Sequence, residues 1–369
     1  MEGGDNGELL GKTDQKPFGV FDRSDLDLTE LGITDDLTVN MFKTMILNRL
    51  LDSKILSLQR QGRLGAYIAS TGEEGAIVGS AYAMIQSDWL FSSYRELGAH
   101  LVRGLSIDLI LAQLYGNSND LLKGRQMSNS WGSKQLNSVT TAAPIGAYLP
   151  MAVGVAMASK IKSSGISVLA YLGDGGTSAS DFHTAMNFAG VYKAPIVFIC
   201  RNNGWAISVP TTRQTASKSL AIKAIAYGFE GIRVDGNDAL ASFVATRYAL
   251  EKARSGGGPT FIEALTYRMG PHSTADDPKR YRNENQLESW TEKDPVKLLE
   301  AYLRKKTLWT DKQEADFTDE CNSNISQSVQ RQESTPLLPP EQLIFDDVYA
   351  EMPWHLKEQR EQIEADSMD

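Results

Sequence analysis

The stretch ISVLAYLGDGG at residues 166–176, with RNN at residues 201–203 further along the chain, indicates the fold. Ile166 to Leu172 is a short apolar run that ends at a glycine, which is typical of a buried strand entering a tight turn. A second apolar run, Ile196 to Cys200, predicts a second buried strand. The chain therefore carries polar residues just beyond the ends of two successive strands.

A helix is predicted between these strands, because Phe182, Met186 and Ala189 recur at helical spacing. Asp181 is placed to cap the start of this helix. A strand, a helix and a strand in this order predict a β-α-β unit, in which the strands run parallel. Ligands of such units lie outside the carboxyl ends of the strands. We therefore expect an α/β fold with a ligand site at that edge.

Two oxygen-bearing side chains are predicted at this edge, the carboxylate of Asp174 and the amide of Asn203. The backbone amides of Gly175 and Gly176 can approach a phosphate closely, because neither residue has a side chain. Mg²⁺ is commonly held by one or two protein oxygens while phosphates and water complete its coordination. The sequence therefore predicts a site for a diphosphate and Mg²⁺, with a backbone carbonyl as a further ligand.

Other phosphate-binding and hydrolase motifs fit this chain less well. Ser178 stands where a dinucleotide fingerprint needs its third glycine, and no acidic residue lies between Asp181 and Glu230 to hold a ribose. The chain has neither a complete G-x-x-x-x-G-K-[ST] loop nor a G-x-S-x-G elbow. A simple turn and a simple loop would each explain one motif, whereas their spacing in a β-α-β unit favours the ligand site.

Several separate blocks of the sequence resemble one family, the alpha subunits of thiamine-diphosphate-dependent 2-oxoacid dehydrogenases. The resemblance covers about residues 36–360 and, within the family, is to the branched-chain type. No single block is decisive, but their order and joint presence are. The blocks are Gly72-Glu73-Glu74-Gly75, Tyr94-Arg95-Glu96, Gly124 to Met127, Gly173 to Ser208, Arg233 to Asp238 and Tyr267 to Asp277.

The resemblance implies an α/β thiamine-diphosphate-binding fold, in which helices flank a central parallel sheet and a helical carboxyl-terminal extension follows. We predict an amino-terminal arm at residues 1–35, the thiamine-diphosphate-binding domain at 36–332, and an extension at 333–369 that contacts a partner subunit. The domain is expected to open with an amphipathic helix from Thr38 to Gln61, which Gly62 ends.

The metal and phosphate ligands are carried over from the family onto matching residues. By resemblance, Asp174, the side chain of Asn203 and the carbonyl of Trp205 hold Mg²⁺ between the two phosphates. Arg95 and Arg201 pair with phosphate oxygens, for which a guanidinium offers paired donors. The resemblance thus implies two cofactors, thiamine diphosphate and Mg²⁺.

The remaining site residues are also implied by the resemblance. Tyr94 lines the phosphate pocket, and the backbones of Ala143 and Ile145 form hydrogen bonds with the aminopyrimidine ring. His272 faces the cofactor and assists acyl transfer to a lipoyl group, since imidazole exchanges protons near neutral pH.

The implied activity is the oxidative decarboxylation of branched-chain 2-oxoacids with reductive acylation of a lipoyl group, as in 3-methyl-2-oxobutanoate dehydrogenase (2-methylpropanoyl-transferring). A beta subunit supplies the glutamate that activates the cofactor, so we expect an α2β2 assembly docked on a lipoyl acyltransferase core. Ser93 and Ala179 depart from the family pattern and leave the substrate range open. Two alternatives remain: the alpha subunit of a pyruvate or acetoin dehydrogenase, and a non-catalytic paralogue that serves as an assembly subunit.

The composition argues against several classes of partner. A net charge of −9 and a pI near 5.2 do not suit a nucleic-acid or anionic membrane surface. Two cysteines, Cys200 and Cys321, are too few for a disulfide framework and fit a reducing compartment. Met1 to Leu10 is acidic and contains glycine, unlike a secretory or transit peptide, so we expect a cytoplasmic location.

One uncharged stretch, Gln135 to Ser159, has the composition of a membrane span. Pro144 and Pro150 interrupt it, and its apolar run from Leu149 to Ala158 is well short of the ~20 residues needed to cross a bilayer. We therefore predict a buried helix here. Its small residues would let a second helix approach closely; they are Ala152, Gly154, Ala156 and Ala158.

Overall fold

A central sheet organises the fold, and the computed structural model describes residues 13, 16–21 and 23–366. The strands of this sheet are β1 (Trp89–Phe91), β2 (Ser138–Val139), β3 (Val168–Gly173), β4 (Ile196–Asn202), β7 (Glu230–Asp235) and β8 (Thr260–Leu265). Two further strands, β5 (Trp205–Ala206) and β6 (Val209–Pro210), form a small antiparallel pair.

The central sheet runs in the order β2-β1-β3-β4-β8-β7, and each pair of neighbours is parallel. Parallel neighbours need crossover connections, which here contain helices. The predicted α/β class with a central parallel sheet is therefore confirmed.

Helices cover both faces of the sheet, and the carboxyl-terminal region is helical as predicted. In chain order they are α1 (Asp35–Arg60), α2 (Glu74–Tyr82), α3 (Leu97–Val102), α4 (Ile107–Tyr115), α5 (Tyr148–Ile161), α6 (Ser180–Tyr192), α7 (Ala239–Arg254), α8 (Glu284–Thr291), α9 (Pro295–Lys305), α10 (Asp311–Ser334), α11 (Pro340–Phe345) and α12 (Trp354–Asp366). Residues of α1, α2 and α7 pack on one face of the sheet, and residues of α5 and α6 pack on the other.

The residues of β3 alternate between these two layers. Val168, Ala170 and Leu172 join the cluster formed with α5 and α6. Leu169 and Tyr171 join the cluster formed with α1, α2 and α7. Because both faces are covered, the strand is apolar throughout, and this continuous apolar run is what predicts a buried strand from the sequence.

The two strands of the predicted β-α-β unit are present with shifted ends. Strand β3 starts at Val168 rather than Ile166, and β4 continues beyond Cys200 to Asn202. The helix between them is α6, but the prediction that Asp181 caps it is wrong. Ala179 holds the extended cap position, and Asp181 lies inside the first turn, where its charge still suits the positive end of the helix dipole.

The first long helix begins slightly earlier than predicted. Thr34 caps α1, its hydroxyl accepting a hydrogen bond from the backbone N–H of Leu37 at 3.2 Å. The helix ends before Gly62, whose φ of +72° lies in the left-handed region that favours glycine. The predicted stop at this glycine is confirmed.

Helix α5 is half-buried, so the prediction of a buried helix is wrong for one of its faces. Ala152, Val153 and Ala156 pack under the sheet. Met151 and Ile161 are 56% and 81% exposed. A helix that lies on the outside of a sheet buries only one stripe, and here the exposed stripe is also apolar.

Within residues 13, 16–21 and 23–366, no helix has the length and apolarity that crossing a membrane requires.

The two predicted end segments are only partly comparable with the structure. Met1 to Leu10 lies outside the described residues. Phe18 of the predicted arm pairs with Val234 of β7 and is buried, so this part of the arm belongs to the core. At the other end, α10 stops at Ser334. The division into residues 1–35, 36–332 and 333–369 stays a prediction.

Gly79→Ala should destabilise the fold by about 1–3 kcal/mol, the range for overpacking a close contact. A Cβ on Gly79 in α2 would lie 2.2 Å from the carbonyl oxygen of Ala239 at the start of α7. Gly154→Ala in α5 is the matched control, since nothing lies within 4 Å of its added Cβ. Urea midpoints of both variants and the parent chain measure the difference, and equal midpoints for the two variants would contradict the tight α2–α7 contact.

Candidate functional site

The register of β3 and β4 brings the two predicted metal ligands to one edge of the sheet. Gly173 pairs with Arg201, so the chain leaves both strands at the same level. Asp174 starts a 3-10 turn, Asp174–Ser178, and is 1% exposed. Asn203 follows β4 and is 4% exposed. Both side chains therefore lie buried at the carboxyl ends of adjacent parallel strands, as predicted.

The carboxylate of Asp174 is held from one side by the segment that follows β6. Its Oδ2 accepts a hydrogen bond from Nε2 of Gln214 at 2.6 Å and a longer one from Thr211 at 3.4 Å. Burial raises the pKa of Asp174, and the hydrogen bond from Gln214 opposes this rise. Gln214 thus stabilises the ionised form that a metal ligand needs.

The glycines after Asp174 let the backbone approach its neighbours closely. A Cβ on Gly175 would lie 2.6 Å from Cβ of Ala206 in β5. A Cβ on Gly176 would lie 3.7 Å from Cγ2 of Ile145, which places the predicted Ile145 beside this turn. Ala143, two residues earlier, is exposed. The turn therefore offers backbone rather than side chains at the predicted phosphate site.

The predicted phosphate arginines converge on one buried carboxylate, Glu73. Arg201 donates to Oε2 of Glu73 at 2.5 Å, and Nε of Arg95 lies 3.4 Å from Oε1. Nδ2 of Asn203 donates to the same Oε1 at 2.8 Å. Glu96 forms a second ion pair with Arg201. The two guanidinium groups are thus neutralised by carboxylates inside the protein.

The electrostatics of this cluster keep Arg201 charged. Burial alone would lower the pKa of Arg201, but Glu96 and Glu73 raise it above its usual value. Burial raises the pKa of Glu96, and Arg201 opposes that shift. The Nε atoms of Arg201 and of Arg268 are buried without a hydrogen-bond partner. These two donors remain available to an anion.

His272 lies against two of these guanidinium groups. Its Nδ1 is 3.4 Å from Arg95 and 3.5 Å from Arg268, and its ring meets Tyr94 edge-on at 6.0 Å. Burial and then the charges of Arg95 and Arg268 lower the pKa of His272 to about 4. Because guanidinium groups only donate, Nδ1 must be the acceptor and the neutral ring carries its proton on Nε2.

The segment that carries His272 is tied by its own side chains. Oδ2 of Asp276 accepts from the backbone N–H of His272 at 2.7 Å and from the hydroxyl of Tyr281 at 2.5 Å. Arg268 donates to that hydroxyl at 2.7 Å. The backbone N–H of Thr274 donates to the carbonyl of Tyr67 at 3.1 Å. His272 is therefore held by a hydrogen-bonded loop and does not hang free.

The donor set fits a small, hard cation and a diphosphate. Within residues 13, 16–21 and 23–366, no three His, Cys, Asp or Glu side chains come together as a metal cluster. One carboxylate, one amide oxygen and one carbonyl, those of Asp174, Asn203 and Trp205, match the few protein oxygens that Mg²⁺ takes beside phosphates. The unpaired donors of Arg201 and Arg268 match the phosphates.

The structure thus gathers most of the predicted site residues around one buried cluster. Their roles as ligands stay predictions. The carbonyl of Trp205 accepts from Arg268 at 3.5 Å. Sequence reasoning assigned no role to Glu73, Glu96, Gln214 or Arg268. A usable signal existed for Glu73, because an acidic pair between glycines just before an apolar helix is unusual unless a buried charge is needed.

Comparison with known proteins identifies relatives along most of the chain. A family model described as "Dehydrogenase E1 component" matches residues 42–341. The chain is 41% identical to 2-oxoisovalerate dehydrogenase subunit alpha 2, mitochondrial, of Arabidopsis thaliana, over 89% of this chain and 69% of that protein. It is 39% identical to the human 2-oxoisovalerate dehydrogenase subunit alpha, mitochondrial, over 88% and 73%. It is 41% identical to 3-methyl-2-oxobutanoate dehydrogenase subunit alpha of Mycobacterium tuberculosis, over 97% and 99%.

Acidification from about pH 7 to about pH 5 should loosen the segment around His272. Because its folded pKa of about 4 is below the usual 6.5, the stability that it contributes is fully present above pH 6.5 and is lost as the pH falls towards 4. Amide protection in residues 270–282, measured by hydrogen exchange and corrected for intrinsic rates, should fall less in His272→Gln than in the parent.

The control for this experiment is His355→Gln, on the exposed start of α12. It should reproduce the pH dependence of the parent. The same pH dependence in His272→Gln would show that another group loosens the segment.

Proposed function

We propose that this chain is the alpha subunit of a branched-chain 2-oxoacid dehydrogenase, because it belongs to the dehydrogenase E1 component family. Its relatives at about 40% identity in a plant, an animal and a bacterium are named as alpha subunits of 2-oxoisovalerate dehydrogenase or of 3-methyl-2-oxobutanoate dehydrogenase. The activity is thiamine-diphosphate-dependent oxidative decarboxylation of a 2-oxoacid with reductive acylation of a lipoyl group. The pyruvate, acetoin and assembly-subunit alternatives are not favoured.

The observation that carries this proposal is the placement of Asp174 and Asn203 just beyond the ends of two adjacent strands. Both lie beside the buried guanidinium groups of Arg95 and Arg201. A structural subunit has no need of the unpaired buried Nε donors of Arg201 and Arg268, because each unpaired buried donor costs about 1–3 kcal/mol. A diphosphate removes that cost by accepting from them. The same feature argues against an assembly subunit.

The residues of this chain would hold the cofactor as follows. Asp174, the Asn203 amide oxygen and the Trp205 carbonyl would bind Mg²⁺, and Arg95 and Arg201 would bind the phosphates. The backbone amides after Asp174 add donors, since the glycines there leave the turn uncovered. Thiamine diphosphate, when bound, supplies the electron sink for loss of carbon dioxide.

His272 would serve as a hydrogen-bond donor to the acyl group on this subunit. Its Nδ1 is occupied by Arg95 and Arg268, so Nε2–H is the group that can donate a hydrogen bond. The imidazole is neutral near pH 7, because its pKa is about 4. The Nε2–H of a neutral imidazole suits a hydrogen bond to a sulfur or oxygen that gains negative charge as the acyl group moves, and the ring keeps its proton. Tyr94 packs against the ring and limits its rotation.

As an alpha subunit, the chain works with a beta subunit. We infer an α2β2 assembly that docks on a lipoyl acyltransferase core. Exposed apolar side chains on α5 and α6 support such contacts, because large exposed apolar surfaces usually mark interfaces. They are Met151, Ile161, Phe188, Val191 and Tyr192.

The preferred substrate and the compartment are finer parts of the proposal. We assign 3-methyl-2-oxobutanoate as the substrate, following the printed name of the mycobacterial relative. We place the protein in the cytoplasm, in keeping with two free cysteines, Cys200 and Cys321. Fractionation of cells that express the tagged full chain tests the location.

Asp174→Ala should weaken metal-dependent binding of thiamine diphosphate on the order of 100-fold, because a charged metal ligand is lost. Titration calorimetry of the co-purified alpha and beta chains, with MgCl₂ and with EDTA, measures this. Asp181→Ala is the control, since Asp181 is an acidic residue in the first turn of α6 and is not among the predicted ligands. Undiminished binding by Asp174→Ala would remove Asp174 from the metal site.

The co-purified complex should decarboxylate 3-methyl-2-oxobutanoate with a higher kcat/KM than pyruvate. A pocket that accepts a branched side chain gains roughly 1–3 kcal/mol per added carbon group, which predicts about a tenfold preference or more. The assay uses thiamine diphosphate, Mg²⁺ and an artificial electron acceptor. A preference for pyruvate would keep the mechanism and overturn the substrate, while bound cofactor without turnover of either acid would favour the assembly subunit.

A further inference from the structure

Glu73 is a fully buried carboxylate that touches three residues of the proposed cofactor site. Its Oε1 accepts from Nδ2 of Asn203 at 2.8 Å and lies 3.4 Å from Nε of Arg95. Its Oε2 accepts from Arg201 at 2.5 Å. Both oxygens are engaged by donors, and an ionised carboxylate has only acceptors to offer.

The position of Glu73 is set by the backbone on both sides of it. Gly72 has a φ of +95°, and a Cβ there would lie 2.3 Å from the carbonyl oxygen of Tyr267. A Cβ on Gly75 would lie 2.7 Å from the carbonyl oxygen of Gly236. Only glycine therefore fits at either contact. The start of α2 is pressed against two neighbouring segments, so Glu73 cannot move away from its partners.

The amide of Asn203 has two chemically different ends, and its orientation decides whether it can bind a metal. Nδ2 donates to Glu73, while Oδ1 accepts from the backbone N–H of Trp205 at 3.1 Å. Oδ1 therefore lies on the same side as the Trp205 backbone. An amide oxygen has a second lone pair, which remains free for a cation. If the amide were flipped, its NH₂ group would face the cation and repel it.

We propose that Glu73 is a positioning residue that fixes the Asn203 amide with Oδ1 towards the metal, and that it aligns Arg201 through its other oxygen. This inference rests on the proposed function. Glu73 touches neither metal nor phosphate in this role and acts through the residues that do. A partner that orients a metal ligand typically changes metal affinity by about 10–100-fold when it is removed.

A simpler role for Glu73 would be to supply negative charge near Mg²⁺. The two roles differ in what Glu73→Gln does to the hydrogen bonds. Glutamine has one acceptor where glutamate has two, and Arg201, which is charged, competes best for it. The glutamine NH₂ then faces Asn203 and needs an acceptor. The Asn203 amide can supply one only by flipping, which turns its NH₂ towards the metal.

The cycle of a reciprocal exchange separates orientation from charge, because charge alone predicts that the effects of the two substitutions add, whereas orientation predicts that they do not. Asn203→Asp, added to Glu73→Gln, supplies an oxygen to the glutamine NH₂ and a second oxygen to the metal. The exchange keeps the net charge of the pair and reverses only the direction of the hydrogen bond. If Glu73 orients the amide, the double variant recovers what Glu73→Gln loses.

The experiment measures binding of thiamine diphosphate to the co-purified alpha and beta complex by titration calorimetry across a series of MgCl₂ concentrations. Glu73→Gln should raise the MgCl₂ concentration for half-maximal binding by about tenfold or more. The double variant should return to within about threefold of the parent. Asn203→Asp alone completes the cycle, and the effects of the two substitutions should not add.

Each outcome bears on the proposal. An unchanged MgCl₂ requirement in Glu73→Gln, or additive effects across the cycle, would overturn it. If Glu73→Gln does not assemble, as judged by size exclusion, a parental MgCl₂ requirement in the double variant together with no gain in Asn203→Asp alone supports the proposal. Failure of the double variant, or a lowered MgCl₂ requirement in Asn203→Asp alone, overturns it. A parent complex that binds no thiamine diphosphate at any MgCl₂ concentration would instead contradict the proposed function.

Discussion

The parallel pairing of β3 with β4 is the constraint on which the site depends. It sets Gly173 opposite Arg201, so Asp174 and Asn203 leave the sheet at the same level. The pairing is buried between two helical layers, and a slip by one residue would turn every side chain of a strand to the wrong face. The relative position of the proposed metal ligands is therefore fixed by the core and not by the loops that carry them.

The second constraint is electrostatic. Arg95 and Arg201 are nearly inaccessible to water, and charges in such places must be paired and hydrogen-bonded. Glu73 and Glu96 provide the pairs, and removing one partner of a buried ion pair costs about 3–5 kcal/mol. The cations are thus held in place before any ligand arrives. Donors fixed in advance bind a phosphate without the cost of reorganisation, which is what a diphosphate site requires.

The surface of α5 is a place where the sequence pattern did not predict which residues are buried. Its exposed face also carries large apolar residues, so the sequence predicted a buried helix, whereas Met151 and Ile161 are exposed. Asp181 is a similar case, since an acidic residue suits both a cap and a first turn, and only the backbone angles of Ala179 decide between them. Both errors concern surroundings that lie outside the local sequence.

The sequence by itself determined the α/β class, the strands that flank α6, the helix stop at Gly62 and the family. These depend on local signals: apolar runs, glycine positions and motif order. Only the tertiary structure decided that Glu73 accepts a hydrogen bond from Asn203, which lies 130 residues further along the chain, and that His272 contacts Arg95 across 177 residues. Such contacts depend on which segments the sheet brings together. Hydrogen bonds between residues far apart in the chain produce no periodic pattern in a single sequence, so the sequence alone could not predict them.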